Sequence, residues 1–549
     1  MKLFKFCLIL ASAGTLAVAP GCKDFYNVNV NPLTPTAVDL NSLLPVAQVN
    51  MAEYLGDNIG GLSQYTMALM QQLYNTRNIG NFQQTGDAFS GEWAGLYRGV
   101  LINNERIITQ GTTEQRWNYV GIAQLQKAYV FSQMVDVWGD IPYSEALKGE
   151  VNPAPRFDKD EAIYNGTTTI QGLFSLIDEG LANLAKPGSV PTKPTLSAVD
   201  LIYKGDLDKW ARFGRTLKLK LYNQLRKTNS AATVQSQVGP LLNGALMEEC
   251  ATCDFQLGYL NTANPDNRNP GYVTDYNANP ENRIGRYFYE GMLTLNDPRK
   301  PYYFFNQLAA GTTTTNQDYI SPLDPSFVTV RPGTSSQYAS VATTASVQTV
   351  QGLYPVGGRY DDGKGGKTGT TSGKAEAPQR LLTYYSRKYT EAELRLTVYN
   401  DVVAARTAFD AALQASFNKV NAIATADGSP VIPAASITTY KTSALARFDN
   451  APSAEDKLEV IMYEKYVASF GYGVDVYTDF RRTGHPTIRV SREAVSLSAP
   501  NSGLLVDDGA TRANGPFPLR LYYPTNDLTL NPNSPRSQRD VTAPIFWDK

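Results

Sequence analysis

Histidine is almost missing from this chain: 549 residues contain one, His485. That scarcity excludes Ser-His-Asp and Cys-His hydrolase schemes unless His485 itself is the base. It lies in Arg481-Arg482-Thr483-Gly484-His485-Pro486, a turn-like stretch with no nucleophile motif beside it. Cysteine is nearly as rare, with four in all. Cys250 and Cys253 form one CxxC, which reads as half a zinc site, a redox pair, a small disulfide or two inert thiols. Zinc would need four ligands, and neither a second cysteine pair nor further histidines are present to supply them. A redox motif would want a thioredoxin-like βαβ setting, which this neighbourhood lacks. Surplus charge is absent too: the formal net charge is −1, so no basic field exists to attract nucleic acid. The Gly-rich run 357–366 lacks P-loop spacing and does not sit between a strand and a helix. Asp361-Asp362-Gly363 offers oxygens to a cation, but without the alternating acids and closing Glu of an EF-hand loop. The reading assigns no catalytic residue, metal or cofactor.

No apolar run is long enough to span a bilayer. The longest, Phe6 to Val18, rises only about 20 Å as a helix, against a hydrocarbon core of roughly 30 Å. Lys2 and Lys5 precede it and small residues follow, the pattern of a secretory signal over residues 1–21. Ala19-Pro20-Gly21-Cys22 resembles a bacterial lipoprotein processing site, which makes Cys22 the lipidation site. The alternative is an ordinary signal peptide with a chance cysteine.

Tyrosine is abundant, with 33 against 21 Phe and 5 Trp. Its apolar face and polar tip suit exposed binding surfaces, and equally the surfaces of helices in a large exported protein. Helical spacing begins near Asp39 with Leu43, Leu44, Ala47 and Met51. Further helices are expected at about 61–74, 90–110, 114–138, 160–185 (capped by Asp158), 206–228 (opened by Asp206), 386–418 and 453–470. Along 114–138, Trp117, Gly121, Leu125, Ala128, Ser132 and Val135 share a stripe, and three of these are small. Small residues on a buried stripe let helix axes approach closely, as in stacked helical hairpins. From about 254 to 380 Gly, Asn, Pro, Thr and Tyr dominate, as in a large irregular insert. The tail from 481 is again loop-rich. The organisation is a signal over 1–21 and a single domain over 22–549. Its helical scaffold covers about 39–250 and 380–480.

Several blocks in order carry a resemblance. Trp138-Gly139-Asp140-Ile141-Pro142-Tyr143 with Glu145-Ala146 is followed by Pro155-Arg156-Phe157-Asp158 and Ile163-Tyr164. Asp200-Leu201-Ile202-Tyr203, Gly205-Asp206, Lys209-Trp210 and Leu217-Lys218-Leu219 come next. Then follow Asn296-Asp297-Pro298-Arg299, Tyr389 with Glu391-Ala392-Glu393, Glu464-Lys465-Tyr466, Arg481-Arg482-Thr483-Gly484 with Pro486, Arg520 to Pro524, and Asn531-Pro532-Asn533. Together they resemble the SusD/RagB family of nutrient-binding outer-membrane lipoproteins. Asn526-Asp527 departs from the Glu common after the Tyr-Pro pair.

The resemblance implies a mainly α fold, an α-helical superhelix with tetratricopeptide-like helix pairs. It implies a lipid-anchored protein facing outward from the outer membrane. Such a protein captures an oligosaccharide, or a peptide, and passes it to a TonB-dependent SusC-like barrel, without being an enzyme. Lys23-Asp24 after Cys22 fits the short signal that sends such lipoproteins to the surface. The shared blocks are read as structural: Asp140 satisfies backbone donors at a helix end, and Arg481 and Arg482 pair with helix carboxylates. Ligand residues do not transfer by motif. Irregular Tyr/Asn-rich stretches supply the candidates Tyr74, Asn75, Arg77, Tyr272, Asp275, Tyr276, Tyr354, Arg359 and Tyr360, with loop packing as their alternative role. The competing readings are a surface-anchored glycoside hydrolase or peptidase, and an adhesion protein.

Overall fold

Apolar residues three and four apart bury one face of helices such as Leu207–Gln224, whereas Trp117–Trp138 and Ala454–Ala468 are buried on nearly all sides. In the computed structural model the described residues are 38–56, 60–75, 84–314, 319–329, 345–489, 505–506 and 516–548. Cys22, Lys23, Asp24 and Arg77 lie outside them. The chain divides into Met1–Asp39 and Leu40–Lys549. Within the second unit, Leu40–Met51 packs on Ile102–Thr113, which packs on Trp117–Trp138, which packs on Leu173–Leu184. The stack continues through Leu207–Gln224 to Tyr384–Thr397, Val402–Asp427, Ala434–Asn450 and Ala454–Ala468. The architecture is mainly α, as expected.

The small-residue stripe explains one close approach. A Cβ added at Gly121 would sit 2.7 Å from the Gly180 carbonyl oxygen and 2.7 Å from Leu184 Cγ. Only glycine lets Trp117–Trp138 and Leu173–Leu184 meet at this separation. Asp206 caps Leu207–Gln224 by accepting the Lys209 N–H at 3.1 Å.

Several boundaries differ from the sequence expectation. The helix expected at 61–74 ends at Leu69, and Leu73–Asn75 turns into a strand paired with Asn282–Ile284. The expected 160–185 helix is two, Asp160–Asn165 and Leu173–Leu184, interrupted at Gly166 and Gly172. Asp158 is not its cap: its carboxylate accepts the Ser144 N–H at 2.7 Å, and Asp140 accepts the Asp160 N–H at 3.0 Å. The Tyr384 and Val402 helices are separate, and Ala434–Asn450 and Gly473–Thr483 are further helices. The region 254–380 is not merely irregular. It contains short helices such as Pro270–Asp275 and Arg286–Thr294, and antiparallel pairs such as Phe304–Phe305 with Val350–Gln351.

The sequence blocks meet through buried charges. Arg299 is fully buried, with Nη2 2.6 Å from Asp297 and 2.9 Å from Glu464. Glu464 also takes Arg447 at 2.6 Å and the Tyr440 hydroxyl at 2.8 Å. Burial pushes the Glu464 carboxyl up, but Arg299 and Arg447 outweigh it and hold it below the ordinary range. Arg482 pairs with Glu393 and Asp479, and Glu393 also takes Arg226 at 2.8 Å. Arg481 differs from expectation: it donates to the main-chain carbonyls of Asp136 and Leu519 rather than to a carboxylate. Asp140 caps as expected and also binds Lys159 and Arg539.

Candidate functional site

A cavity of about 500 Å³ opens between Val402–Asp427 and the segment leading into Tyr384–Thr397. That volume is within the range that holds a small ligand. One wall is a helix face: Ala415, Asn418, Lys419, Ala422, Ile423 and Ala426 recur every three or four residues. The opposite wall is Leu353 to Gly357 with Lys374 to Pro378. Gly357 ends the short helix Leu353–Val356 with φ +74°, and a Cβ there would lie 2.6 Å from the Glu376 nitrogen. Gln256 lines the cavity from the strand Phe255–Leu257, which pairs with Gln379–Leu382. Cys250 and Cys253 are joined as a disulfide, closing the turn that presents Glu249 and Asp254.

The polar groups converge here in an ordered way. Asp254 holds Lys419 at 2.6 Å and accepts the Tyr384 N–H at 2.7 Å. Lys419 also donates to Gln256 Oε1 at 2.7 Å, and Asn418 donates to Glu249 at 2.7 Å. Lys374 satisfies the last carbonyls of the helix, Ala426 at 3.3 Å and Asp427 at 2.5 Å. Tyr384, half-buried, supplies a ring, and its backbone is fixed by the helix start at Thr383. Burial raises the Tyr384 phenol, as do Glu249 and Glu391 against the opposing Arg387, so it remains a neutral donor.

The structure places the sequence candidates one layer behind this cavity or away from it. Tyr272 and Tyr276 stack at 4.5 Å with 15° between planes. The Tyr272 hydroxyl accepts the Gly373 N–H at 3.0 Å, bracing the wall that carries Lys374. Tyr276 accepts the Arg359 N–H at 2.7 Å and donates to the Gln351 carbonyl at 2.8 Å. Tyr354 is fully buried under the Arg380 guanidinium, and its hydroxyl lies 3.3 Å from that of Tyr385, which lines the cavity. Asp275, also fully buried, takes Gln351 Nε2 at 2.8 Å. Burial pushes its carboxyl up to about 7, against those hydrogen bonds and Arg283. Tyr74 is 2% exposed in a strand opposite Arg283, and Asn75 pairs with Asn282 in the same ladder. Arg359 and Tyr360 keep partial exposure, Arg359 over the Phe305 ring at 4.1 Å and Tyr360 beside Tyr302 at 4.9 Å. Of the nine ligand candidates, then, Tyr74, Tyr272, Asp275, Tyr276 and Tyr354 are closed to an external ligand by their own packing.

Sequence reasoning missed Tyr384, Asn418, Lys374 and Glu376. Their signal was the polar Asn418-Lys419 pair interrupting an alanine-rich helix face. His485 does not line the cavity; its Nε2 lies 2.8 Å from Glu455. The Asp361-Asp362-Gly363 oxygens are already engaged. Asp361 accepts the Gly363 and Asn306 N–H groups, and Asp362 holds Lys364 at 2.7 Å. Among the described residues no group of three or more His, Cys, Asp or Glu could hold a metal, and no helix is long and apolar enough to cross a membrane.

Solved structures share the fold over almost the whole chain. A chitin-binding protein aligns with a TM-score of 0.68 at 19% identity, covering 93% of this chain and all of that one. A SusD/RagB family protein from Bacteroides thetaiotaomicron aligns with 0.65 at 22% identity, covering 93% and 99%. A SusD homolog from Bacteroides uniformis gives 0.64 at 18%, covering 92% and 99%. No curated protein matches the sequence. The model of the SusD-like family, described as starch-binding and associating with the outer membrane, matches residues 32–524. With that match spanning most of its length, the chain belongs to the SusD-like family.

Proposed function

We propose that the protein is a lipid-anchored binding protein on the outer face of the outer membrane. It captures an oligosaccharide and passes it to a TonB-dependent SusC-like barrel. The observation that carries this reading is the family match over residues 32–524, whose description joins starch binding to the outer membrane. The chitin-binding structural neighbour supports a glycan over a peptide. The cavity's chemistry agrees with capture. A Tyr384 ring, small apolar residues and side-chain amides suit the faces and hydroxyls of a hydrated sugar. Arg359 and Tyr360, partly exposed elsewhere on the insert, remain a second contact region for a longer chain.

Calorimetry with starch- and chitin-derived oligosaccharides tests the assignment. Tyr384→Ala should weaken binding about tenfold or more while the unfolding midpoint changes little, because one stacking platform contributes roughly 1–2 kcal/mol. Undiminished affinity removes the cavity from the reading. Release of shortened products from a polymer by the purified protein overturns capture in favour of hydrolysis.

A further inference from the structure

The cavity's charges go further than its shape. Six ionisable side chains other than tyrosine line it: Glu249, Asp254, Lys374, Glu376, Lys419 and Asp427. Both cations have hydrogen-bond partners within the protein. Lys419 is held by Asp254 at 2.6 Å, and Lys374 by the Ala426 and Asp427 carbonyls, where the helix dipole is negative. Asp254 is spent in turn on Lys419 and the Tyr384 N–H. Asp427 accepts the Ser429 hydroxyl at 2.5 Å but no cation. Glu249 and Glu376 are exposed at the mouth, and Glu249 is held only by the neutral amide of Asn418. The lining therefore carries four carboxylates against two ammoniums, beside the alanines of the helix wall and the Ala377-Pro378 segment. An anionic ligand would meet repulsion there, and a neutral one would leave the carboxylates to water. A cationic one would complete them.

We infer that the cavity selects a glycan of partly N-acetylated hexosamines, its free ammonium groups bound by Glu249 and Glu376 and its acetamido methyls seated on the alanines of the helix wall. This rests on the glycan reading above and narrows it to one substrate class. Ala415, Ala422 and Ala426 on the helix wall and Ala377 on the other leave room for methyl groups, and Tyr384 offers a ring face to a pyranose.

The test is calorimetry at low salt and mildly acidic pH, where a hexosamine's free amine is protonated, with four probes of similar length. These are a fully acetylated glucosamine oligomer, a partly deacetylated one, a galacturonate oligomer and a lysine-rich peptide. The expected result is binding of the partly deacetylated chain several-fold to about tenfold tighter than the acetylated one, with no galacturonate binding. That preference should fade as salt rises. The double variant Glu249→Gln/Glu376→Gln should erase the preference. Both positions are exposed, so the fold should tolerate the change. Equal affinity for the two hexosamine chains, or binding of galacturonate, overturns the inference and leaves glycan capture standing. Binding of the peptide alone, with the same dependence on the two glutamates, overturns both.

Discussion

Tyrosine shows how a residue type is ambiguous until its neighbours are known. Its abundance permits an exposed binding surface, yet Tyr119, Tyr129, Tyr164, Tyr272, Tyr276 and Tyr354 are buried. Their hydroxyls tie distant segments together: Tyr164 to Asp136 at 2.5 Å, Tyr129 to Tyr472 at 2.8 Å, Tyr523 to the Asp140 carbonyl at 2.8 Å. A buried ring with a satisfied hydroxyl combines apolar area with a directional bond, so tyrosine here specifies the fold. Asp275 is the acidic counterpart. Its carboxyl titrates near 7 because burial disfavours the charge, whereas in the unfolded chain it titrates near the ordinary aspartate value. Between about pH 4 and 7 the folded state therefore holds the extra proton, and stability falls as pH rises through that window. Thermal unfolding from pH 5 to 8 should show this loss, on the order of a few kcal/mol, and Asp275→Asn should flatten it. An unchanged slope in the variant would assign the pH dependence to other buried acids, such as Asp136 near 6.

At the scale of elements, periodic helices were legible and their interruptions were not. Trp117–Trp138 and Leu207–Gln224 follow from apolar spacing, and Asp206 announces its own helix. Ala434–Asn450 carries the same signal in Ile437, Tyr440, Ala444 and Phe448, but its serines and threonines mask it. The break after Asn165 depends on Gly166 at φ +77° packed on the Gly172 backbone, a contact no periodicity reveals. The cavity was hidden for a related reason. It needs a helix face, a ladder and a loop brought from 249–257, 353–385 and 415–427. Gly121 was legible, and its role is testable. Gly121→Leu should destabilise by at least about 1–3 kcal/mol, read as a lower urea midpoint with an unchanged slope, because the Gly180 carbonyl cannot recede without moving its helix. Arg482→Met should cost about 3–5 kcal/mol, since Glu393 would stay fully buried with one of its two guanidinium partners gone.

For the molecule as a whole, the ordered sequence blocks are the joints of the helical stack. The Asn296–Arg299 block meets Glu464, and the Arg481–Gly484 block meets Glu393, across 165 and 89 residues of chain. These joints lie in the blocks that carried the family resemblance, whereas no block marked a ligand-specific surface. Under the proposed function, delivery would depend on what the stack is tied to. One acyl chain gives only marginal membrane binding at about 0.8 kcal/mol per buried CH₂, whereas the several chains of a lipoprotein cysteine hold firmly. A body tethered in this way would stay at high local concentration beside any barrel in the same membrane. Docking need not then be tight, and a lid that opens to load should not be. Cys22→Ala should therefore separate two properties. The variant should fail to incorporate labelled palmitate, leave the membrane fraction and no longer recover a large barrel from mild detergent extracts. Its oligosaccharide affinity in solution should equal that of the anchored protein, because the cavity draws on 249–427 alone. Recovery of the barrel by the unanchored variant would show that the docking face carries the association without the tether.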